Sequence, residues 1–207
     1  MSDDEEGGGF LRVTPAGCYY AVESAESLPE RASLLGLMRR PDTPPVDDPA
    51  VLDIGPRLVT AGFAERIDSS DSLPDGTLGD HLPTVLAALS DSGAAVLAEA
   101  RQGLFLDYAG VSDGEAEELA ALAADLNALA ERRATSLGER LGVRSRALAI
   151  VDPGGCSEVG FWPLHVAEHV FTLTILGIPL LNTPPFRTLV WMLVERYGET
   201  PGDAGTR

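Results

Sequence analysis

The 207-residue sequence contains no lysine, and its 15 basic residues are all arginine. The absence of lysine excludes a Walker-type phosphate loop, whose lysine contacts the phosphates. It also excludes a Schiff-base lysine and a Ser–Lys dyad. Basic charge is scarce as well, since 32 Asp and Glu residues give a formal net charge of −17. Such a charge argues against a large surface that binds nucleic acid or anionic lipid.

Cysteine is nearly absent too. Cys18 and Cys156 are 138 positions apart, with no second cysteine or close histidine to complete a ligand pair, which is typical of a reduced, cytoplasmic chain. The first residues, MSDDEEGGG, are acidic where a signal peptide would be basic and then apolar. The longest mainly apolar stretch, Val170 to Leu181, is too short to span a bilayer. We therefore expect cytoplasmic localisation without membrane insertion.

Turn-forming and acidic segments divide the chain. Residues 1–9 are predicted to be a disordered acidic tail and residues 199–207 a disordered C-terminal tail. The run DSSDSLPDGTLGD, residues 68–80, is rich in turn formers and predicts a linker. It separates a smaller N-terminal unit, residues 10–67, from a larger C-terminal unit, residues 81–198.

The C-terminal unit has the clearer pattern. Its hydrophobic spacing and turn residues predict the order α-β-β-α-β-β-β-α. A capping box formed by Ser112 and Glu115 predicts the start of a long helix that ends near Gly142. The other predicted elements are a helix over Leu82–Leu89, strands over Ala94–Ala100, Leu104–Tyr108, Arg146–Val151, Glu158–Leu164 and Val170–Leu176, and a helix from Thr183 to Gly198.

Two segments of this unit carry a family resemblance. GLFLDYAG (Gly103–Gly110) and SDGEAEELAALAADLNALAERRATSLGERLG (112–142), followed by three strands and a closing helix, resemble the Roadblock / dynein light chain family over about residues 81–198. Asn182 and Arg187 stand at a spacing similar to the family's Asn-to-Arg signature, although Pro184-Pro185 replaces its usual Gly and aliphatic residue. The resemblance implies an α+β, profilin-like Roadblock domain with a central antiparallel sheet. It also implies a regulator or scaffold, and we expect no catalytic residue, metal or cofactor.

The long helix gives the main functional signal. Four leucines follow a 3-4-3 spacing, and small alanines beside them permit close helix packing. Some of this seam must pack on the chain's own sheet, but further alanines leave the first half of the helix apolar on several sides, which is typical of burial on two sides. Members of the family dimerise through this helix and an edge strand, so we expect a homodimer. The predicted interface residues are Leu119, Leu122, Ala123, Leu126, Leu129, Ala130, Arg146, Leu148 and Ile150.

The resemblance also implies a protein partner. Bacterial members often bind small Ras-like GTPases, and in some cases stimulate GTP hydrolysis. An inserted arginine finger is not implied, although Arg132, Arg133 and Arg187 are candidates to test. Trp191 lies off the core stripe of the last helix, so it marks either a partner surface or burial against the N-terminal unit. A GTPase-independent assembly scaffold and a transcription regulator remain alternatives.

The N-terminal unit is predicted to be a winged-helix-like adaptor. Phe10–Val13 and Tyr19–Val22 flank Pro15-Ala16-Gly17, which predicts a small hairpin. Helical spacing over Leu28–Arg40 and Pro49–Ala61 is followed by a strand-like run, Phe63–Ile67. Residues 42–80 contain nine acidic residues against two arginines, so we expect this unit to bind protein and not nucleic acid.

Two short motifs suggest other chemistry. His165-Val166-Ala167-Glu168-His169 matches the H-x-x-E-H pattern of zinc proteases. Because it lies between two strand patterns, we expect a turn that points the imidazoles apart and binds no metal. Asp152-Pro153-Gly154-Gly155 leads into a strand and not into a helix N-terminus, so a hairpin turn is favoured over a phosphate loop.

Overall fold

The computed structural model describes residues 9–142 and 146–198, so the predicted tails lie outside the described residues except for Gly9. The protein has a mixed α+β architecture, as predicted. Its elements in chain order are β1 (Phe10–Val13), α1 (Pro15–Val22), α2 (Pro29–Met38), α3 (Pro49–Leu52), α4 (Gly55–Thr60), β2 (Ala64–Ile67), α5 (Leu78–Ala87), β3 (Ala95–Glu99), β4 (Leu104–Ala109), α6 (Asp113–Leu141), β5 (Leu148–Val151), β6 (Ser157–Val166), β7 (His169–Leu176) and α7 (Pro184–Tyr197).

A five-stranded antiparallel sheet forms the centre of the molecule, in the order β4-β3-β7-β6-β5. Alternation along β7 decides which side chains face which layer. Phe171, Leu173 and Ile175 point into the main core with α5 and α7. Thr172 and Thr174 point to the opposite face and are also buried, because α6 covers them.

Helix α6 begins and ends where the sequence predicts. The Ser112 hydroxyl accepts a hydrogen bond from the backbone N–H of Glu115, and the Glu115 carboxylate accepts one in return from Ser112 N. This reciprocal capping satisfies two backbone donors that a helix N-terminus otherwise leaves free. Gly142, with φ of 67°, closes the C-terminus in the left-handed conformation that glycine adopts without strain.

The predicted hairpin near the N-terminus is wrong. Tyr19–Val22 belongs to α1, because Thr14 caps that helix by accepting a hydrogen bond from Gly17 N at 3.1 Å and Pro15 occupies its first turn. Strand β1 pairs instead with β2, in a register that places Val13 opposite Ala64. The pairing partner therefore comes from a distant part of the sequence.

The N-terminal unit packs directly on the rest of the molecule. Helices α1 and α2 contact α7, and one continuous apolar core includes Leu34 of α2 together with Leu193 of α7. Residues 68–80, predicted as a linker, are held against this unit as well. The Asp71 carboxylate forms ion pairs with Arg12 at 3.0 Å and with Arg187 at 3.1 Å. These two contacts join β1 to α7.

The helix predicted over Pro49–Ala61 is divided into α3 and α4. Asp48 caps α3, and Gly62, with φ of 74°, ends α4 as predicted. Strand β2 follows at once, which agrees with the strand-like run predicted there.

Candidate interaction surface

Helix α6 carries a stripe of alanines on one face and a stripe of leucines on an adjacent face. Ala116, Ala120 and Ala123 are fully buried and pack on the sheet, since helix α6 contacts β3, β4 and β7. Leu122 and Leu129 are 40% and 45% exposed. At about 100° per residue, the leucine stripe lies about 100° around the helix from the alanine stripe. Helix α6 therefore packs on its own sheet through alanines, and its leucines remain able to contact another surface.

Gly103 shows which flank of α6 carries the leucines. A Cβ at Gly103, in the turn between β3 and β4, would lie 3.3 Å from Ala121 Cα and 3.4 Å from Ala124 Cβ. Ala121 and Ala124 thus face the β4 side of the sheet. The leucines lie on the other flank of the helix, toward the half of the sheet formed by β6 and β5.

Strand β5 forms the edge of that half. All four of its residues are exposed, including Leu148 at 40% and Ile150 at 49%. Leu148 pairs with Phe161 and Ile150 with Val159, which places both side chains on the α6 face. Within the described residues β5 pairs only with β6, so its outer edge presents free backbone groups.

The structure thus brings most of the predicted interface residues to one side of the molecule. Leu119, Leu126 and Ala130 are half-buried on α6, and Arg146 is exposed just before β5. Ala123 is the exception, because it is buried against the chain's own sheet and offers no surface.

Trp191 and Arg187 do not form a partner surface, which corrects that expectation. Trp191 is 5% exposed, and its Nε1 donates a hydrogen bond to the Arg40 carbonyl oxygen at 2.8 Å. The Arg187 guanidinium is largely buried, lies 5.7 Å from the centre of the Trp191 ring and pairs with Asp71. Burial against the N-terminal unit, the alternative raised by the sequence, is the correct interpretation. Arg132 and Arg133 are exposed on α6.

The His165–His169 segment forms a two-residue turn between β6 and β7, as predicted. Val166 pairs with His169, so the imidazoles of His165 and His169 lie on opposite faces of the sheet. His169 packs on Phe171 and Tyr197. Among the residues that the structure describes, no group of three or more His, Cys, Asp or Glu could hold a metal ion.

His165 lies on the α6 face in an unusual environment. Its Nε2 is buried and has no hydrogen-bond partner among the residues that the structure describes. Desolvation lowers the pKa of this imidazole, and the nearby positive charges of Arg146 and Arg31 lower it further against an opposing effect of Glu131. His165 is therefore neutral near pH 7.

The remaining candidates for chemistry have structural explanations. Burial raises the pKa of the Cys18 thiol to about 12, which removes it as a nucleophile at neutral pH. Asp152 lies in the turn between β5 and β6, where its side chain accepts a hydrogen bond from Cys156 N at 2.9 Å. This confirms the predicted hairpin turn.

No helix in the described ranges is long and apolar enough to cross a membrane.

One surface cleft was not predicted from the sequence. An open cleft of about 570 Å³ lies between residues 73–82, β4 and the end of α7. Leu73, Leu82 and Leu106 contribute to its lining, and His81 Nε2 at its rim bonds with the Asp75 carbonyl oxygen. The cleft combines residues from three separate parts of the chain, so no local pattern could predict it.

Comparisons of the chain with protein-family models, with curated proteins and with solved structures found no match.

Proposed function

We propose that this chain is a non-catalytic, cytoplasmic regulator or scaffold of the Roadblock type. It forms a homodimer and binds a protein partner, a small Ras-like GTPase whose nucleotide cycle it modulates. The observation that carries this proposal is the apolar surface formed by the leucine flank of α6 and the edge strand β5. A surface of this kind is typical of protein–protein interaction.

The element order from α5 to α7 supports the proposed family. It is the α-β-β-α-β-β-β-α order that the resemblance implies, with the sheet antiparallel throughout. The strand-to-helix junction from Gly103 to Gly110 lies between β4 and α6, and the alanine-rich helix packs on the sheet.

A second copy of the chain suits this surface. An antiparallel β5–β5′ contact on a two-fold axis would satisfy the free edge of both strands at once. The same axis would bring together the two leucine flanks, since they lie on the same side as β5. The sheets would then continue from one copy into the other.

The GTPase partner rests on the resemblance. The dimer would bind and order the switch segments of the GTPase, and its strong negative charge suits a basic partner. DNA binding by the N-terminal unit is disfavoured. Arg31 pairs with Glu23 at 2.7 Å and Arg57 with Glu30 at 2.5 Å, so two of its arginines are already neutralised.

The dimer is tested by sedimentation of the wild type and of the double variant L148D/I150D. We expect a dimeric wild type and a folded monomeric variant, because each aspartate would place a charge in an apolar contact. The exposed substitution Leu104→Asp on β4, at the opposite edge of the sheet, is the matched control and should remain dimeric. A dimer unaffected by L148D/I150D would contradict the proposed surface.

The partner is tested by affinity capture from native lysate with a non-hydrolysable GTP analogue and, in parallel, with GDP. Enrichment of one small GTPase in a single nucleotide state supports the regulator. The same proteins in both states, with no GTPase among them, would indicate a GTPase-independent scaffold. DNA retained in a salt-sensitive manner would indicate a transcription regulator.

A further inference from the structure

The cleft of about 570 Å³ brings apolar side chains from three segments of the chain together. Two of its lining residues, Leu82 of α5 and Met192 of α7, are only 2% and 6% exposed. The other apolar lining residues are half-buried and remain accessible: Leu73, Leu78, Leu106 and Tyr197. Single exposed apolar residues are ordinary on a protein surface, whereas several that converge in one concave site indicate binding.

The open shape of the cleft favours a segment of a protein over a small molecule. Small-molecule sites bury about 70–90% of the ligand surface, which an open cleft does not do. A segment of a larger partner excludes water from such a cleft, because the rest of the partner covers the opening. Gly76 and Gly79 lie in the wall formed by residues 73–82, and their lack of a side chain allows a peptide backbone to approach closely.

Exposed carboxylates surround the cleft on two sides. Asp75 and Asp80 lie in the wall formed by residues 73–82, and Glu195 lies in the last turns of α7. Hydrogen bonds from the Thr77 backbone and hydroxyl lower the pKa of the Asp80 carboxyl, which is therefore ionised at neutral pH. Both bonds go to Oδ2, so Oδ1 remains available to a cation.

Arg196 is the single arginine in the lining, and it does not neutralise Glu195. Adjacent residues of a helix do not face each other, and among the described residues neither of these two side chains forms an ion pair. Three carboxylates against one guanidinium make the surroundings of the cleft negative. The complementary occupant is an apolar segment that also carries positive charge.

The chain itself offers no such segment next to the cleft. Residues 199–207, which follow α7, have the sequence ETPGDAGTR. Pro201 and Ala204 are its only apolar residues apart from glycine, and two acidic residues outnumber its one arginine. A second copy of the chain carries the same net charge of −17, so charge disfavours it as well.

We infer that the cleft docks an extended segment of a basic partner protein, with an apolar side chain against Leu106 and an adjacent arginine or lysine paired to Glu195. The helical walls of the cleft, α5 and α7, lie on the face of the sheet opposite to α6. This docking therefore leaves the leucine flank and β5 accessible, and it does not depend on the proposed homodimer.

Defined peptides test the chemistry of the occupant. The labelled, end-blocked peptide Gly-Arg-Leu-Leu-Arg-Gly should bind the full chain in fluorescence anisotropy. Gly-Glu-Leu-Leu-Glu-Gly and Gly-Arg-Ser-Ser-Arg-Gly should each bind at least about tenfold more weakly, because the first reverses the charge and the second removes the apolar side chains. No binding of the arginine–leucine peptide at about 1 mM, or equal binding of either control peptide, would overturn the inference.

Adjacent charges on α7 test the ion pair. E195R should weaken binding of the arginine–leucine peptide by about fivefold, because it turns an attraction into a repulsion. R196E removes a like charge and should not weaken binding. E117R, at an exposed position on α6, changes the net charge as E195R does and should leave the dissociation constant within about twofold. Weakening by R196E, or equal weakening by E195R and E117R, would contradict the pairing to Glu195.

Nuclear magnetic resonance of the wild type locates the peptide. Amide signals of Gly76, Thr77 and Gly79 should shift on titration, while those of β5 remain in place. Shifts confined to β5 and α6 would show that the peptide binds the proposed dimer surface, and would overturn the assignment of the cleft.

Two further measurements exclude the other occupants. E195R should sediment as the wild type does, and a change in oligomeric state would show that a second copy fills the cleft. A chain that ends at Gly198 should bind the peptide within about twofold of the full chain. Affinity that rises tenfold or more on this truncation would identify residues 199–207 as the occupant and overturn the inference. The proposed function has its own test in L148D/I150D, so either proposal can fail without the other.

Discussion

Gly17 shows how one residue fixes the packing of the N-terminal unit. It lies in α1 against the backbone of Phe63, where an added Cβ would overlap the carbonyl group. Gly36 in α2 is exposed, and an added Cβ there meets nothing within 4 Å. The two glycines therefore differ in their neighbours, while both lie in helices.

We predict opposite effects when each glycine is replaced by alanine. G17A should lower the free energy of unfolding by about 1–3 kcal/mol, because backbone must move to admit the methyl group. G36A should raise it by about 0.5–1 kcal/mol, since alanine is the better helix former. Urea unfolding measures both. Stabilisation by G17A would show that α1 does not pack closely on Phe63.

His165 predicts a dependence of stability on pH. Its folded-state pKa is lowered, mainly by desolvation, from an unfolded value of 6.5. As the pH falls through 6.5, the unfolded chain binds a proton before the folded chain does, so the free energy of unfolding decreases. Above that pH the effect is absent.

Substitution tests this pH dependence. H165Q should lose part of the decrease in unfolding free energy between pH 7 and about pH 5, because glutamine does not titrate. H81Q, at a half-buried position on the rim of the cleft, is the comparison variant and should retain the decrease that His165 causes. If H165Q and the wild type decrease in parallel, His165 is not the group responsible.

At the scale of the element, α6 performs two packing tasks with two residue types. Alanine lets the helix lie close to the sheet, and the leucines on the adjacent flank stay exposed or half-buried, so that they can contact a second surface. Hydrophobicity by itself would place the leucines on the sheet, since they bury the larger apolar area. The crowding near Gly103 and the buried alanines show the reverse.

The capping box of α6 carries a prediction at the same scale. S112A should destabilise the chain by about 0.5–2 kcal/mol, because the backbone N–H of Glu115 loses its acceptor. S136A lies on the exposed side of the same helix and should be neutral or slightly stabilising. Both are compared by urea unfolding at one protein concentration. Equal effects would show that the cap contributes nothing.

At the scale of the whole molecule, the two units predicted from the sequence share one core. Leu34, Met38 and Val22 from the N-terminal unit belong to the same apolar cluster as α7. Asp71 joins Arg12 to Arg187 across the boundary. Removing either unit would expose the apolar face of the other.

We therefore predict one cooperative unfolding transition for the chain. Tryptophan fluorescence, which reports Trp162 and Trp191, and far-ultraviolet circular dichroism should give coincident curves in urea. D71A should shift both curves together to lower urea, because Arg187 loses its ion pair with Asp71 and Arg12 keeps only its pair with Glu65. Two separate transitions, or proteolysis near residue 71 that releases two folded fragments, would contradict the shared core.

The sequence by itself determined the features whose causes lie within a few residues. These are the capping box at Ser112, the alternation along β7, the turn between His165 and His169, and the order of elements from α5 to α7. Each depends on backbone geometry and on side chains close in the chain. The 3-4-3 spacing of the four leucines on α6 was also visible, although the exposure of each leucine was not.

Only the tertiary structure decided which apolar and charged groups are buried. Trp191 bonds to Arg40, 151 positions away, and Arg187 pairs with Asp71. Strand β1 pairs with β2, whereas the adjacent run Tyr19–Val22, predicted as its partner, lies in helix α1. Burial is set by contacts between distant segments, which local periodicity does not contain. The leucine flank and the β5 edge are exposed because α6, as far as the structure describes the chain, packs mainly on β3, β4 and β7, and the position of the helix on the sheet decides this.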